Sequence, residues 1–380
     1  MTDELILTNA RIVTPDAVLD GAVRVVDGVI LEVDDRGSRA AGALDLEGDY
    51  LLPGLVELHT DNLERQLSPR PGVRWPPAAA ILAHDLQIAG AGITTVCDAV
   101  GVGIYGQEQE RLEILQASID GIEAARADGR LKAEHLLHLR CEIPHPGVIE
   151  LFEPLSAGET LKVVSFMDHT PGQRQWRDLA RYREFHQGQG GTGDEEIDAV
   201  LEWHRARQEA NAGRNRRRIL EMIEGRDLAL ASHDDATEGH LEEAANDGMT
   251  LAEFPTTIEA AKAARRLGLG IVMGAPNLVL GGSHSGNVSA LELARRGLLD
   301  VLSSDYVPVS LLHGAFCLHE RIGLPLPDAL ATVSADPARR IGLGDRGAIA
   351  PGLRADLVRV RHRCDSPSAL AVWRQGRRVA

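Results

Sequence analysis

Cysteine is scarce in this sequence. The four residues, Cys97, Cys141, Cys317 and Cys364, lie far apart and form no C-x-x-C pair. A disulfide framework and a thiolate zinc site both need cysteines at characteristic spacings, so neither is indicated. We expect free thiols, most of them buried.

Long apolar runs and excess positive charge are also missing. No stretch of about 18 apolar residues could span a bilayer, and Asp3 and Glu4 stand where a secretory signal carries basic residues. The 40 basic and 56 acidic residues give a formal net charge of -16, which disfavours nucleic acid and anionic membranes as partners. We expect a cytoplasmic protein that binds a small molecule, and the sequence leaves a homo-oligomer open.

The middle of the chain, residues 53–345, alternates apolar strand-like runs with helical segments. This alternation is typical of parallel strands joined by crossover helices, and eight such runs predict a (β/α)₈ TIM barrel. Residues 1–52 and 346–380 contain short strands instead, and we expect them to combine into one small composite β-sandwich domain. The predicted barrel strands end near Leu58, Cys97, Cys141, Met167, Ser232, Glu253, Met273 and Ser304.

One connection, from about residue 170 to 226, is much longer than a βα unit needs. It contains a glycine-rich tract at 188–193 and then a charged helical stretch. A long insertion on a βα loop is usually a lid or a specificity element, and we predict one here. A merely decorative insertion is the alternative.

Metal-binding side chains follow several of the predicted strands. Since catalytic residues of such barrels sit at the C-terminal ends of strands, these residues predict a metal site. Six ligands are too many for one tetrahedral ion, so we predict two divalent ions, zinc or else manganese or iron, with Glu142 bridging them. The predicted ligands are His59, Asp61, Glu142, His169, His233 and Asp305.

Other residues of the same types are interpreted as structural. A lone histidine at a strand end is more often hydrogen-bonded structure than a ligand, and we place His84, His135 and His138 in that class. Lys162 precedes its apolar run and so lies at the opposite rim of the barrel, which rules out a carboxylated lysine as the bridging group.

Two flanking segments, residues 52–59 and 352–358, resemble the signatures of the amidohydrolase superfamily. Most members carry His-x-His on the first strand, and this chain departs from them with Asp61. Further segments resemble a branch of that superfamily that acts in phosphonate breakdown by the carbon-phosphorus lyase pathway. They are 59–64, 69–73, 139–142, 167–173, 233–237, 253–257, 273–277, 281–287 and 304–306.

This resemblance implies metal-dependent hydrolysis of a ribosyl 5'-triphosphate to the 5-phosphate and pyrophosphate. Arginine suits bidentate phosphate contacts, and the glycine-rich run 281–287 offers backbone N–H groups to an anion. The expected substrate contacts are Asn62, Arg65, Arg70, Arg74, Gln173, Arg174, Asn277, Ser283 and Ser285.

In the mechanism expected for such a hydrolase, the metals activate a water molecule that attacks a phosphorus atom of the triphosphate. Asp305 orients and deprotonates the water, and His284 protonates or hydrogen-bonds the departing pyrophosphate. An amidase or deaminase acting on a C–N bond of a small anionic substrate is one alternative, and a catalytically inactive barrel is another. The arginine-rich loops speak against the first, and the intact ligand set speaks against the second.

A last expectation concerns Glu57 and Arg140, which precede His59 and Glu142 by two residues each. Strand alternation points all four side chains inward, so Glu57 and Arg140 should form an ion pair one layer beneath the ligands and support them. A register shifted by one residue would instead turn both outward.

Overall fold

A computed structural model describes residues 3–36, 38, 40–105, 108–190, 194–283, 286–363 and 366–380, without the side chains of 108, 185–190 and 194. Cys364, His284 and Ser285 lie outside the described residues. The strands are β1 (Glu4–Val13), β2 (Val18–Val26), β3 (Val29–Asp34), β4 (Leu44–Asp45), β5 (Tyr50–Pro53), β6 (Leu55–Thr60), β7 (Ile93–Val102), β8 (Glu134–Glu142), β9 (Leu161–Met167), β10 (Ala229–His233), β11 (Leu251–Glu253), β12 (Gly270–Gly274), β13 (Val301–Ser303), β14 (Leu357–Arg363), β15 (Ser366–Arg374) and β16 (Arg377–Arg378).

Helices follow the barrel strands and fill the connections. They are α1 (Asn62–Leu67), α2 (Pro77–Gly90), α3 (Glu108–Ala127), α4 (Val148–Phe152), α5 (Leu179–Gly190), α6 (Asp194–Ile223), α7 (Glu238–Asn246), α8 (Ile258–Arg266), α9 (Ala275–Leu280), α10 (Ala290–Arg295), α11 (Ser310–Cys317), α12 (Leu326–Ala331) and α13 (Ala335–Arg340). No helix in the described part of the chain is long and apolar enough to cross a membrane. The three cysteines that the structure describes are free and buried.

Both ends of the chain build one mixed sheet. Its strand order is β16-β15-β14-β5-β1-β2-β3, with β4 beside β1. The two termini meet where β5 pairs antiparallel with β14 and parallel with β1. A separate core that includes Leu7, Val23, Leu357 and Trp373 packs on this sheet. The predicted association of the termini is confirmed.

Strands β6 to β13 form the second sheet, in which sequential neighbours pair in parallel. A single parallel bridge between Thr60 and Asp305 connects the first and last strands, so the sheet curves into a barrel. The predicted (β/α)₈ barrel is confirmed. The largest boundary error is at β7, which extends to Val102 because the charged Asp98 is buried against histidines and does not end the strand.

The connection between β9 and β10 contains α5 and the long α6. The first turns of α5 pack against α6 through their own cluster of Tyr182, Ile197 and Leu201. The second half of α6 is fixed to the barrel: Asn215 Nδ2 donates to the carbonyl oxygens of Ile143 and His145, both at 2.9 Å. The insertion therefore stands at the C-terminal side of the barrel.

Candidate metal centre

A cavity of about 330 Å³ opens at the C-terminal ends of the barrel strands. It brings together five of the six predicted ligands, while Glu142 is buried behind it. The lining residues are His59, Asp61, Arg140, His169, Gln175, His233, Asp234, Phe254, Pro255, Met273, Gly274, Pro276, Asn277, Leu280, Gly282, Ser283, Asn287, Val288, Asp305 and Tyr306.

Two imidazole rings of the cavity share one carboxylate. His59 Nδ1 lies 2.6 Å from Glu253 Oε1, and His233 Nδ1 lies 2.6 Å from Glu253 Oε2. Burial works against a charged His59, but the Glu253 carboxylate raises the pKa of that ring above its ordinary value. Burial likewise works against a charged Glu253, whereas the His59 and His138 rings hold its pKa well below the usual range. With Nδ1 engaged, Nε2 of each ring is the nitrogen available to a metal.

His169 is held by Glu142 in the same manner. Glu142 Oε1 accepts the His169 backbone N–H at 2.9 Å, and Oε2 lies 2.5 Å from Nδ1. Both carboxylate oxygens are therefore engaged by one residue. This arrangement differs from the predicted bridging ligand, because Glu142 orients His169 from behind the cavity.

Asp61 and Asp305 meet at the seam between β6 and β13. The Asp61 N–H donates to the Asp305 carbonyl at 3.2 Å, and the Asp305 N–H donates to the His59 carbonyl at 3.1 Å. Burial raises the pKa of Asp305, and the charge of Asp61 adds to that effect although His59 opposes it. Asp61 Oδ1 is buried and has no hydrogen-bond partner among the described residues. An orphaned carboxylate oxygen in a cavity that histidine rings also line fits a divalent cation.

The backbone at three strand ends adopts left-handed torsion angles that non-glycine residues rarely use. The φ values are 57° at Asp234, 55° at Phe254 and 54° at Asp305. Such residues persist where the surrounding structure fixes them, often at functional sites. Thr237 and Thr257 are the N-caps of α7 and α8, and each side chain accepts a backbone N–H from the first turn of its helix. These caps allow each helix to begin a few residues after its strand ends.

Sequence reasoning missed two acidic residues of the site, Glu253 and Asp234. Glu253 ends β11, so the strand-end rule that selected the other residues could have found it. Asp234 directly follows His233, and its Oδ2 lies 3.4 Å from His233 Nε2. His169, His233 and Asp234 offer ligand atoms within 4.8 Å of one another. These three residues fit a second cation position in the cavity that Asp61 also lines.

Two of the expected substrate contacts, Asn277 and Ser283, line the cavity. Asn62 does not: its side chain is 4% exposed, and Nδ2 lies 2.9 Å from His84 Nδ1 on α2 and 3.0 Å from Gln87 Oε1. Gln173 is also outside the lining, where Gln175 stands instead. His284 and Ser285 lie in the part of the loop that the structure does not describe.

The four arginines expected to hold phosphate lie outside the cavity lining. Arg65 donates to the Tyr306 carbonyl at 2.9 Å, Arg74 contacts Ser68 and Glu110, and Arg70 is exposed. Arg65 and Arg74 are exposed as well, so the three arginines that follow β6 lie at the surface.

Arg174 is buried behind the centre. Its φ of 48° turns the chain inward, and its guanidinium donates to the His233 carbonyl at 2.8 Å and to Asp235 Oδ1 at 2.5 Å. This arginine therefore supports the backbone of a ligand and is not placed to contact phosphate.

The predicted ion pair between Glu57 and Arg140 is wrong. Glu57 accepts the backbone N–H groups of His59 at 2.7 Å and Ser304 at 2.6 Å, whereas Arg140 lines the cavity 4.0 Å from Asp61. The barrel's stagger explains the error: through β7, Glu57 is level with His135, and Arg140 lies five residues further along β8.

The three histidines interpreted as structural are fully hydrogen-bonded. His138 Nδ1 lies 2.9 Å from the Leu58 carbonyl, and burial lowers the pKa of this ring to about 3. His84 and His135 lie on either side of Asp98, at 2.6 and 2.7 Å, in a buried cluster between α2 and the barrel. Lys162 is the second residue of β9 and lies at the opposite rim, as predicted.

Comparisons with known proteins agree with this architecture. A model of the amidohydrolase family matches residues 205–380. The sequence is 46% identical over 382 residues to alpha-D-ribose 1-methylphosphonate 5-triphosphate diphosphatase from Escherichia coli (strain K12), covering 99% of this chain and 100% of that protein. It is 27% identical over 370 residues to adenine deaminase from Deinococcus deserti, covering 94% of this chain and 57% of that protein.

Solved structures give the same fold. N-acetylglucosamine-6-phosphate deacetylase from Pasteurella multocida superimposes with a TM-score of 0.64 at 12% identity, and 99% of each chain is covered. The full-length similarity to the diphosphatase, together with a barrel whose strand ends carry paired histidines and carboxylates, shows that this chain belongs to the amidohydrolase superfamily.

Proposed function

We propose that this protein hydrolyses a ribosyl 5'-triphosphate, ribose 1-methylphosphonate 5-triphosphate, to the 5-phosphate and pyrophosphate in phosphonate catabolism. The similarity to the Escherichia coli diphosphatase over the full length of both chains carries this proposal. The cavity supports it, because histidine and carboxylate side chains at the ends of four strands, β6, β9, β10 and β13, line it.

The proposed cofactors are two divalent ions, zinc or else manganese or iron. His59, Asp61 and Asp305 would hold one ion, and His169, His233 and Asp234 the other, while Glu253 and Glu142 fix the rings. When bound, such ions supply a hydroxide nucleophile near neutral pH.

The protein's own groups then handle protons and charge. Asp305, whose pKa burial raises, accepts the proton of the attacking water. Asn277 and Ser283 position the substrate from the wall formed after β12. For His284 and Ser285 the proposed roles, protonation of the departing pyrophosphate and a phosphate contact, rest on the sequence alone.

The remaining proposals concern the whole protein. We take residues 1–52 and 346–380 as the β domain, 53–345 as the barrel domain, and the insertion at about 170–226 as a cover for the substrate. The protein's proposed partner is a phosphorylated sugar and neither nucleic acid nor membrane. Its proposed location is the cytoplasm.

The test is incubation of the metal-loaded protein with the triphosphate and phosphorus NMR of the products. One equivalent of pyrophosphate and one of the 5-phosphate are expected, and Asp305→Asn should abolish both while the protein stays folded. Release of orthophosphate would exclude the diphosphatase. Ammonia release from a small anionic substrate with a C–N bond, with no phosphorus product, would establish the amidase or deaminase alternative, which the similarity to adenine deaminase supports.

A further inference from the structure

Arg140 occupies a position that the ligand set does not explain. It is the one arginine or lysine among the cavity-lining residues that the structure describes. Its side chain is 19% exposed, and Nη1 lies 4.0 Å from Asp61 Oδ2. Nε is buried and has no hydrogen-bond partner among the described residues. Its charge also acts on His59, His169 and Asp305, so it lies amid the candidate ligands.

A guanidinium at this point works against metal binding. Like charges in a partly buried cavity repel strongly, and an unpaired buried donor is costly. The 4.0 Å separation from Asp61 is at the distance limit of an ion pair. A metal held by Asp61 would compete with Arg140 for the same carboxylate. The arrangement becomes favourable when an anion occupies the cavity and accepts hydrogen bonds from the arginine.

We propose that Arg140 is a substrate-binding residue that receives the phosphate oxygens of the polyphosphate beside the metal ligands. The inference rests on the proposed function for the identity of the ligand, a phosphoric anhydride. It also explains how a cavity lined by histidine and carboxylate side chains accepts an anion. Arg140 is needed for this, because the arginines that follow β6 lie outside the cavity lining. Arg140 thereby favours a charged phosphoanhydride over a neutral amide.

The proposal predicts effects of opposite sign on metal and on anion. Arg140→Gln should bind zinc several times more tightly in titrations of the metal-free protein, because a repelling charge is removed. The same variant should bind inorganic pyrophosphate at least tenfold more weakly, with zinc present or absent, and should raise KM for the triphosphate more than it lowers kcat. Arg140→Lys keeps the charge but loses the bidentate geometry and should give an intermediate pyrophosphate affinity.

Arg266→Gln is the matched control, because that arginine pairs with Glu238 on the surface, away from the cavity. A structural role for Arg140 would appear as weaker zinc binding and a lower melting temperature in Arg140→Gln, with unchanged pyrophosphate affinity, and would overturn the proposal. Pyrophosphate binding is measured without turnover. A wild-type protein that binds pyrophosphate through Arg140 but does not hydrolyse triphosphates would refute the proposed function and leave the anion site established.

Discussion

The carboxylate of Glu253 lies between two imidazole rings and determines which nitrogen each ring offers. Both of its oxygens accept from Nδ1, one from His59 and one from His233. In Glu253→Gln one oxygen becomes an NH₂ group, so one ring must place its proton on Nε2 and lose that atom as a ligand. We expect zinc affinity to fall about 10- to 100-fold.

Calorimetric titration of the metal-free protein measures this change. Glu238→Gln is the control, because Glu238 is exposed on α7. An unchanged zinc affinity in Glu253→Gln would show that the two rings are oriented by something else.

The buried cluster of His84, Asp98 and His135 makes stability depend on pH. Burial opposes a charged His135, but Asp98 raises the pKa of this ring to about 9. Because folding raises the pKa of His135, the bound proton stabilises the folded protein fully at pH values below the unfolded-state pKa of about 6.5. That stabilisation, about 3 kcal/mol, is lost as the pH rises from there through about 9.

Urea unfolding of the wild type and of His135→Gln between pH 6 and pH 9.5 tests this. The wild type should lose stability over that interval, and the variant, less stable at pH 6, should lose much less. His319→Gln, at an exposed histidine, controls for other groups. Parallel pH profiles for wild type and His135→Gln would contradict the assignment.

At the scale of elements, the contacts of the described side chains divide the insertion into two parts. The second half of α6 donates side-chain hydrogen bonds to the loop after β8, whereas α5 packs through the small cluster of Tyr182, Ile197 and Leu201, which is separate from the barrel core. Small, isolated clusters open at lower free energy than the main core.

Leu201→Ala should therefore loosen α5 without unfolding the barrel. Removing this side chain costs about 2 kcal/mol locally, so amide exchange across α5 should accelerate more than tenfold while the global melting temperature stays within a degree or two. Val200→Ala, at an exposed neighbour in α6, is the control. Equal acceleration in both variants, or a large drop in melting temperature for Leu201→Ala, would refute the division.

The elements were largely predictable and their mutual register was not. Local apolar runs mark where β6 and β8 end, so His59 and Glu142 were placed at the correct rim. The stagger between strands is set by pairing across the whole barrel, so Glu57 and Arg140 were assigned to one layer although they lie at different heights. The expectation of a phosphate contact at Arg174 did not foresee that its own left-handed backbone directs the side chain toward the His233 carbonyl and Asp235.

At the scale of the whole molecule, the barrel closes through side chains as well as backbone. Glu57, on β6, is fully buried where that strand faces β13. Its two oxygens accept from the backbone N–H groups of His59 and Ser304, and Ser303 Oγ lies 2.8 Å from one of them. The two backbone partners can only donate, and each carboxylate oxygen accepts from one of them. Glu57→Gln would bring an NH₂ group against one of them, which should cost about 1–3 kcal/mol of unfolding free energy.

Urea unfolding measures this cost. Glu292→Gln, which removes an exposed ion pair with Arg296 at the end of α10, should cost no more than about 0.5 kcal/mol. A Glu57→Gln protein as stable as the wild type would show that the seam does not depend on this carboxylate.

The same seam would set when the protein can acquire a metal at the proposed ligands. His59 lies near the end of the first barrel strand, Asp61 directly follows that strand, and Asp305 follows the last one. The Thr60 hydroxyl donates to the Asp305 carbonyl across 245 residues of chain. Contacts so distant in sequence form late in folding. A nascent chain therefore lacks the complete set of proposed ligands until β13 has been synthesised and docked beside β6, and metal uptake during translation would report that the barrel is finished.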